Sequence, residues 1–284
     1  MPEVESLARF LRERCVGRTI ADVELAAFSA LKTYDPPLSA LSGLEIDDVT
    51  RHGKWVDVSA QGLHLVFHLA RAGWLRWSDE LPTAPARPGK GPLALRLRLD
   101  DGSGFNLTEA GTQRKLAVYV VSDPQLVPMV ATLGPEPLDH AFDRAALDTL
   151  LAHAGRAQLK GVLKDQRVIA GIGNAYSDEI LHAARMSPFK PASSLTDEER
   201  DTLLAAIKGE LTGAVTRAEG LAAKDLKGEK KSGMRVHGKA GEACPVCGDT
   251  VAEVSFADSS LQYCPTCQTG GKKLADRRMS RLLR

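Results

Sequence analysis

The chain predicts an α+β fold in two domains followed by a small cysteine-rich hairpin, and three observations carry that reading. From Thr19 to Ser122 the apolar residues recur at every second position, the period of half-buried strands. After Leu133-Gly-Pro-Glu-Pro-Leu138 the period changes to that of helices. Near the C-terminus, four of the five cysteines stand as Cys244-Pro-Val-Cys247 and Cys264-Pro-Thr-Cys267. Strands followed by a block of helices segregate into separate layers or domains. A chain of 284 residues with 43% hydrophobic content can bury a core in each.

Val4, Leu7, Ala8 and Leu11 follow the i, i+3, i+4, i+7 rule, so residues 3–16 are predicted to form an amphipathic helix that Gly17 ends. Alternation then marks strands at residues 21–25, 49–58, 63–69 and 93–99, and Asp100-Asp-Gly-Ser-Gly104 turns into a further strand at Phe105. Together these predict an N-terminal helix packed on an antiparallel β-sandwich. Thr83-Ala-Pro-Ala-Arg-Pro-Gly-Lys-Gly-Pro92 reads as a surface loop. Helices are expected near 143–153, 157–165, 174–186 and 196–218. The predicted domains are 1–125 for the sandwich, 126–138 for a linker, 139–235 for the helical domain and 236–284 for the hairpin and its basic tail, with a cleft between the two main domains.

Thiolates are soft ligands, and two CxxC knuckles joined by a hairpin supply the four-sulfur tetrahedron that a structural Zn²⁺ prefers. Two disulfides or a redox pair are the alternatives. No secretory signal and no βαβ pattern accompanies the cysteines, which favours the metal. Cys244, Cys247, Cys264 and Cys267 are therefore the expected ligands of one zinc ion, with Ala257-Asp-Ser-Ser260 turning the hairpin. Cys15 falls on the first helix and reads as a small buried hydrophobe.

Charge points towards a partner. The chain is nearly neutral at +1, but residues 224–284 hold twelve Lys/Arg against seven Asp/Glu, leaving 25 against 29 in the remainder. A cationic tail with Lys272, Lys273, Arg277, Arg278, Arg281 and Arg284 beside a zinc hairpin suits a phosphate backbone better than it suits a merely solvated surface. In the helical domain, Gly171-Ile-Gly-Asn174 opens a predicted helix. Its glycines let the backbone approach a phosphate, Asn174 is a favourable N-cap, and the helix start directs N–H groups at the same spot. No run reaches the roughly 18 apolar residues of a membrane span, and a reducing cytoplasm fits the cysteine usage.

Taken together, Pro2-Glu3, Arg51-His-Gly-Lys54, Leu133-Gly-Pro-Glu-Pro-Leu138, the stretch from Lys164-Asp-Gln166 through Gly171-Ile-Gly-Asn-Ala-Tyr-Ser-Asp-Glu179 and the tetracysteine hairpin resemble the formamidopyrimidine-DNA glycosylase/endonuclease VIII family. The resemblance spans nearly the whole chain. It implies a helix–two-turn–helix motif in the helical domain, a zinc finger, and a monomer acting on damaged double-stranded DNA in the cytoplasm, nucleoid-associated when bound. It further implies base excision followed by β-elimination at the abasic site, through a Schiff base on the secondary amine of Pro2. Glu3 would be the acid–base partner and Lys54 would contact the phosphate and leaving groups. Lys160, Gly171, Gly173 and Asn174 would grip the DNA backbone, with Arg277 and Arg278 adding charge. Taken singly, Pro2 and Glu3 also suit an ordinary helix start.

The chain departs from the family pattern in three places. The usual start carries two Pro-Glu pairs before Val-Glu; here there is one, which is explained if the native start lies three residues earlier. Ser259 stands where the family's zinc hairpin carries an arginine. His68-Leu-Ala-Arg71 and Thr108-Glu-Ala-Gly-Thr-Gln-Arg-Lys115 lack the usual residues that fill the gap left by a flipped base, so the lesion stays open, although Phe28-Ser-Ala-Leu-Lys-Thr-Tyr34 leans towards the endonuclease VIII branch. The alternative to an enzyme is a catalytically silent DNA-binding protein that retains the scaffold.

Overall fold

The computed structural model describes residues 2–89, 91–111, 113–256 and 259–275, and divides them into two compact units. One comprises Pro2–Thr132 together with Ala218–Lys227; the other comprises Leu133–Arg217 and the chain from Gly228 onward.

The first unit opens with α1 (Pro2–Cys15), whose Leu7 and Leu11 are fully buried, as the helical spacing predicts. Two four-stranded antiparallel sheets follow. One has the order β1 (Ile20–Leu25), β6 (Leu93–Leu99), β7 (Gly104–Glu109), β5 (Gly73–Ser78); the other has β2 (Ile46–His52), β3 (Trp55–Ala60), β4 (Leu63–His68), β8 (Ala117–Val121). Alternate residues of each sheet meet in a shared core: Leu65 and Phe67 from one, Leu95, Leu97 and Phe105 from the other, with the Phe67 and Phe105 rings 6.0 Å apart. The run 49–58, read from its alternation as one strand, is a hairpin. Gly53 takes φ +58° and turns the chain, so Lys54 sits in the β2–β3 turn rather than on a strand.

A short helix, α2 (Pro128–Ala131), ends the main stretch of this unit. Ala218, Ala223 and Leu226 belong to the sandwich core, and Trp74 Nε1 donates to the Ala223 carbonyl at 3.1 Å. The sequence predicts a helical domain running unbroken to 235, but these few apolar residues find their burial against the sheets.

The second unit packs α3 (Arg144–Ala154), α4 (Leu159–Lys164), α5 (Asn174–Ala183) and α6 (Asp197–Arg217) around one core. Leu203, Ile207 and Leu211 form a buried line on α6, meeting Leu147 and Leu151 of α3 and Ile180 and Leu181 of α5. Asp143 caps α3 by accepting from the Ala146 N–H at 2.9 Å. α7 (Leu226–Ser232) leads to the hairpin of β9 (Ala252–Ser255) and β10 (Ser260–Tyr263), and α8 (Pro265–Thr269) follows. Ala257, Asp258 and the arginines of the tail, Arg277 and Arg278 among them, lie outside the described residues. Among those described, no helix is long and apolar enough to cross a membrane.

Candidate nucleic-acid interface and metal centre

At one end of the sandwich, a chain of short bonds gathers the residues expected to do chemistry. Pro2 is buried as the first residue of α1, and its carbonyl accepts from Ser6 Oγ at 3.1 Å; Glu3 follows, half-buried. One turn on, Glu5 accepts from Arg51 Nε at 2.9 Å, and Arg51 Nη1 donates to the Gly53 carbonyl at 2.6 Å. The first turn of α1 is thereby tied to the turn that carries Lys54. Burial works against ionisation of Glu5, but the Arg51 and Arg9 guanidiniums outweigh it and hold the carboxyl below its ordinary range.

The register of the sheet extends this end. Trp55 pairs with His68, so the β2–β3 turn lies beside the β4–β5 connection, residues 69–72. His68 stacks against Trp55 with ring centroids 4.8 Å apart, and its Nδ1 accepts from the Ala70 N–H at 3.1 Å. Burial, reinforced by the Lys54 ammonium, pushes the imidazole down to about 4, so at neutral pH it is uncharged with its proton on Nε2. Gly73 in turn pairs with Glu109, which brings in the β7–β8 connection. Both oxygens of the buried Glu109 carboxylate are engaged, by the Lys115 N–H at 2.8 Å and the Leu116 N–H at 3.0 Å. That clamp closes a loop whose described residues Ala110, Gly111, Gln113 and Arg114 are exposed, as is Arg71. Lys54, Arg71 and Arg114 give this end cationic side chains, and His68 adds a neutral N–H donor.

In the helical unit the two-glycine turn is stapled by one side chain. Gln166 accepts from the Gly171 N–H at 2.9 Å and donates to the Ile172 carbonyl at 2.6 Å. Gly171 takes φ +82°, which a side chain would resist. Gly173, not Asn174, occupies the N-cap of α5 and offers no side chain to it. Asn174 is the first residue of the helix, and its Nδ2 donates to the Ser260 carbonyl of β10 at 2.8 Å. The amide is used in a tertiary bond, so the expected cap is absent and no side chain caps the first-turn N–H groups.

Lys160, expected on the DNA backbone, is buried instead. Its Nζ donates to the Asn174 carbonyl at 2.7 Å and to Asp178 Oδ1 at 2.6 Å. Burial pushes the Lys160 ammonium below its ordinary range, while Asp178 pulls the other way. Asp178 is fully buried and also meets His237 Nδ1 at 2.7 Å. Its neighbour Glu179 accepts three successive backbone donors, the N–H groups of Arg235, Val236 and His237, at 2.8, 2.9 and 2.8 Å. Sequence reasoning assigned no structural role to Glu5, Glu109, Gln166 or Glu179, because only the fold supplies the side chain, loop or turn that each one holds.

The four cysteines converge as their spacing predicts. Their Sγ atoms lie within 4.8 Å of one another, with Cys244 and Cys267 3.9 Å apart and Cys247 and Cys264 3.3 Å apart. A tetrahedron with Zn–S bonds of about 2.3 Å has sulfur–sulfur edges of about 3.8 Å. The set therefore fits Zn²⁺, which when bound supplies a cross-link between the two knuckles. Burial works to raise the Cys244 thiol, but the Val246 and Cys247 N–H groups and the His182 ring outweigh it and bring it down to about 6. Cys264, by contrast, is pushed up to about 11, chiefly by burial, so without a cation the cluster would not ionise fully. Its own position at the N-cap of α8 is fixed by the Cys267 N–H, which donates to Cys264 Sγ at 3.4 Å.

Comparison with known proteins gives three consecutive matches. Residues 1–116 match the formamidopyrimidine-DNA glycosylase N-terminal domain, residues 133–225 the formamidopyrimidine-DNA glycosylase H2TH domain, and residues 241–270 the zinc finger found in FPG and IleRS. A formamidopyrimidine-DNA glycosylase of Symbiobacterium thermophilum is 35% identical over 94% of this chain and 88% of its own length. An uncharacterised formamidopyrimidine-DNA glycosylase-like protein of Mycobacterium tuberculosis is 58% identical over 55% of this chain and 98% of its own length. Among solved structures, Lactococcus lactis formamidopyrimidine-DNA glycosylase bound non-covalently to DNA containing an abasic site superposes with a TM-score of 0.81 at 26% identity, covering 95% of this chain and 99% of that one. The MutM protein of Thermus thermophilus gives 0.79 at 30% identity, covering 96% and 99%. With the fold, the tetracysteine centre and this likeness along nearly the whole length in agreement, the chain belongs to the formamidopyrimidine-DNA glycosylase family.

Proposed function

We propose that the protein is a base-excision repair enzyme that binds damaged double-stranded DNA as a monomer in the cytoplasm, removes an oxidised base and cleaves the resulting abasic site by β-elimination. The observation that carries this reading is the bonded path from the first turn of α1 through Glu5 and Arg51 to the turn bearing Lys54, which groups an amine-bearing start and a phosphate-seeking cation at one end of the sandwich.

On a chain that starts at Met1, removal of that residue frees the secondary amine of Pro2. An α-amine has a reference value near 8, so a useful fraction is unprotonated at neutral pH, unlike a lysine. The amine attacks C1′ of the damaged nucleoside, forming the N–C1′ bond as the C1′–base bond breaks. Glu3 protonates the ring oxygen, the sugar opens and an iminium forms at C1′. The iminium acidifies C2′, and loss of that proton expels the 3′ phosphate. Addition of water to the iminium then gives the unsaturated aldehyde, returns the free amine and releases the enzyme. Lys54 neutralises charge on the phosphate next to the lesion, and the first-turn N–H groups of α5 bind a further backbone phosphate.

Borohydride trapping on abasic-site duplex tests the reading. Reduction should yield a covalent protein–DNA adduct with the parent, and Pro2→Gly should lower base excision by about two to three orders of magnitude while leaving noncatalytic DNA affinity nearly intact. Glu3→Gln should impair excision of an intact nucleoside more than cleavage at a ready-made abasic site, whose sugar already opens to the aldehyde. Salt-sensitive DNA binding without any trapped adduct would instead identify a catalytically silent binder.

A further inference from the structure

We infer that His182 is a positioning residue of the metal centre, donating a hydrogen bond from Nε2 to the Cys244 thiolate and locking the first zinc knuckle onto α5. The separation is 3.3 Å, and both residues are 3% exposed. The bond belongs to a periodic set. Asn174, Asp178 and His182 stand four residues apart and therefore share one face of α5. Asn174 reaches Ser260 in the hairpin, Asp178 reaches His237 in the lead-in, and His182 reaches Cys244. Just past the helix, the Met186 carbonyl accepts from Gln268 of α8 at 2.9 Å. One helix face thus holds the finger along its whole length, and His182 is the point where that face touches a ligand sulfur.

The environment of the ring fixes its tautomer. Nδ1 is buried with no hydrogen-bond partner among the described atoms. A proton there would be an unpaired buried donor, and it would turn the Nε2 lone pair towards the electron pairs of the sulfur. With the proton on Nε2, the ring donates and only a bare acceptor is left unpaired. Together with the Val246 and Cys247 N–H groups, Cys244 Sγ then has three donors. Four thiolates around Zn²⁺ carry a net double negative charge, and each N–H···S bond withdraws part of it. The sulfur so treated is less basic and less nucleophilic.

The test uses the full chain loaded with zinc. His182→Phe keeps an aromatic ring but no donor; it should release zinc to a competing chelator at least tenfold faster and speed alkylation of the finger's thiols. With Co²⁺ in place of zinc, the thiolate charge-transfer band should move to lower energy, a change that mere loosening of packing does not produce. His182→Gln, which retains an N–H, should restore part of each effect. An unchanged release rate together with an unmoved band in His182→Phe overturns the inference. Should that variant fail to fold, long-range proton–nitrogen spectra of the parent decide: a protected Nε2–H tautomer is expected, and an Nδ1–H tautomer refutes it.

Discussion

Around α5 a dense, largely buried network joins several polar side chains, whereas at the end of the sandwich single carboxylates, Glu109 and Glu5, hold the loop after β7 and Arg51. Asp178 and Glu179 between them engage Lys160, His237 and three consecutive backbone N–H groups. Glu109 closes the loop after β7, and Glu5 ties α1 to Arg51. The contrast separates two kinds of work. A zinc finger too small to own a core has to be borrowed into register by a neighbour, and a dense network achieves that. Loops that must present cationic side chains to a ligand need one anchored base and an exposed tip.

The largest expected break in this comparison comes from the metal. Cys264→Ala, or removal of zinc by a chelator, should unfold the hairpin and lower DNA affinity at least a hundredfold, because the metal is what bonds all four cysteines of the two knuckles together. The sandwich should not respond. All three tryptophans, Trp55, Trp74 and Trp77, lie in that unit, so fluorescence-monitored unfolding isolates it. A metal-free protein that binds DNA at full strength, or one whose tryptophan transition shifts by several degrees, would contradict the division.

A pair of matched substitutions sharpens the contrast. Glu179→Gln replaces a carboxylate that accepts three backbone donors with an amide oxygen that cannot serve all of them. A cost of about 1.5–3 kcal/mol to the helical unit is expected, with faster hydrogen exchange at Arg235–His237. Glu109→Gln should cost about 1–2 kcal/mol in the sandwich, with the exchange increase confined to Lys115 and Leu116. Equal spreading of exchange in the two variants would show that the helical network is no more cooperative than a single clamp.

How much of this was legible in the chain follows from the same distinction. The cysteine ligands could be read because metal spacing is local, and α1 and α6 because their apolar periods are long. Asn174 misled for a physical reason. Its side chain suits an N-cap, but a carbonyl 86 residues away takes the amide, leaving Gly173 at the cap. Lys160 carries a charge that sequence reading assigns to a surface, yet the buried Asp178, eighteen residues on, holds it inside. The hairpin at Gly53 was hidden because both flanking runs read as strand and only Gly53 and Lys54 separate them. In each case the deciding partner is brought in by the fold.

The smallest expected effect probes the tether between Glu5 of α1 and Arg51. The carboxyl of Glu5 lies below its ordinary value of 4.5 in the folded protein, so folding weakens its hold on a proton. Its contribution to stability is therefore fully present above that ordinary value and is lost as the pH falls through the lower folded value. Glu5→Gln removes the charge at every pH. The stability gap between parent and variant should be constant from about pH 7 to 5, amount to under about 1 kcal/mol, and close below about pH 4.5. Because Arg9 is half exposed while the Arg51 side chain is 8% exposed, salt should reduce the gap only in part. Tryptophan-monitored unfolding across this range supplies the measurement. A gap that persists undiminished to pH 3 would mean that Glu5 acts through packing alone, and the bonded path from α1 to the Lys54 turn would lose its electrostatic basis.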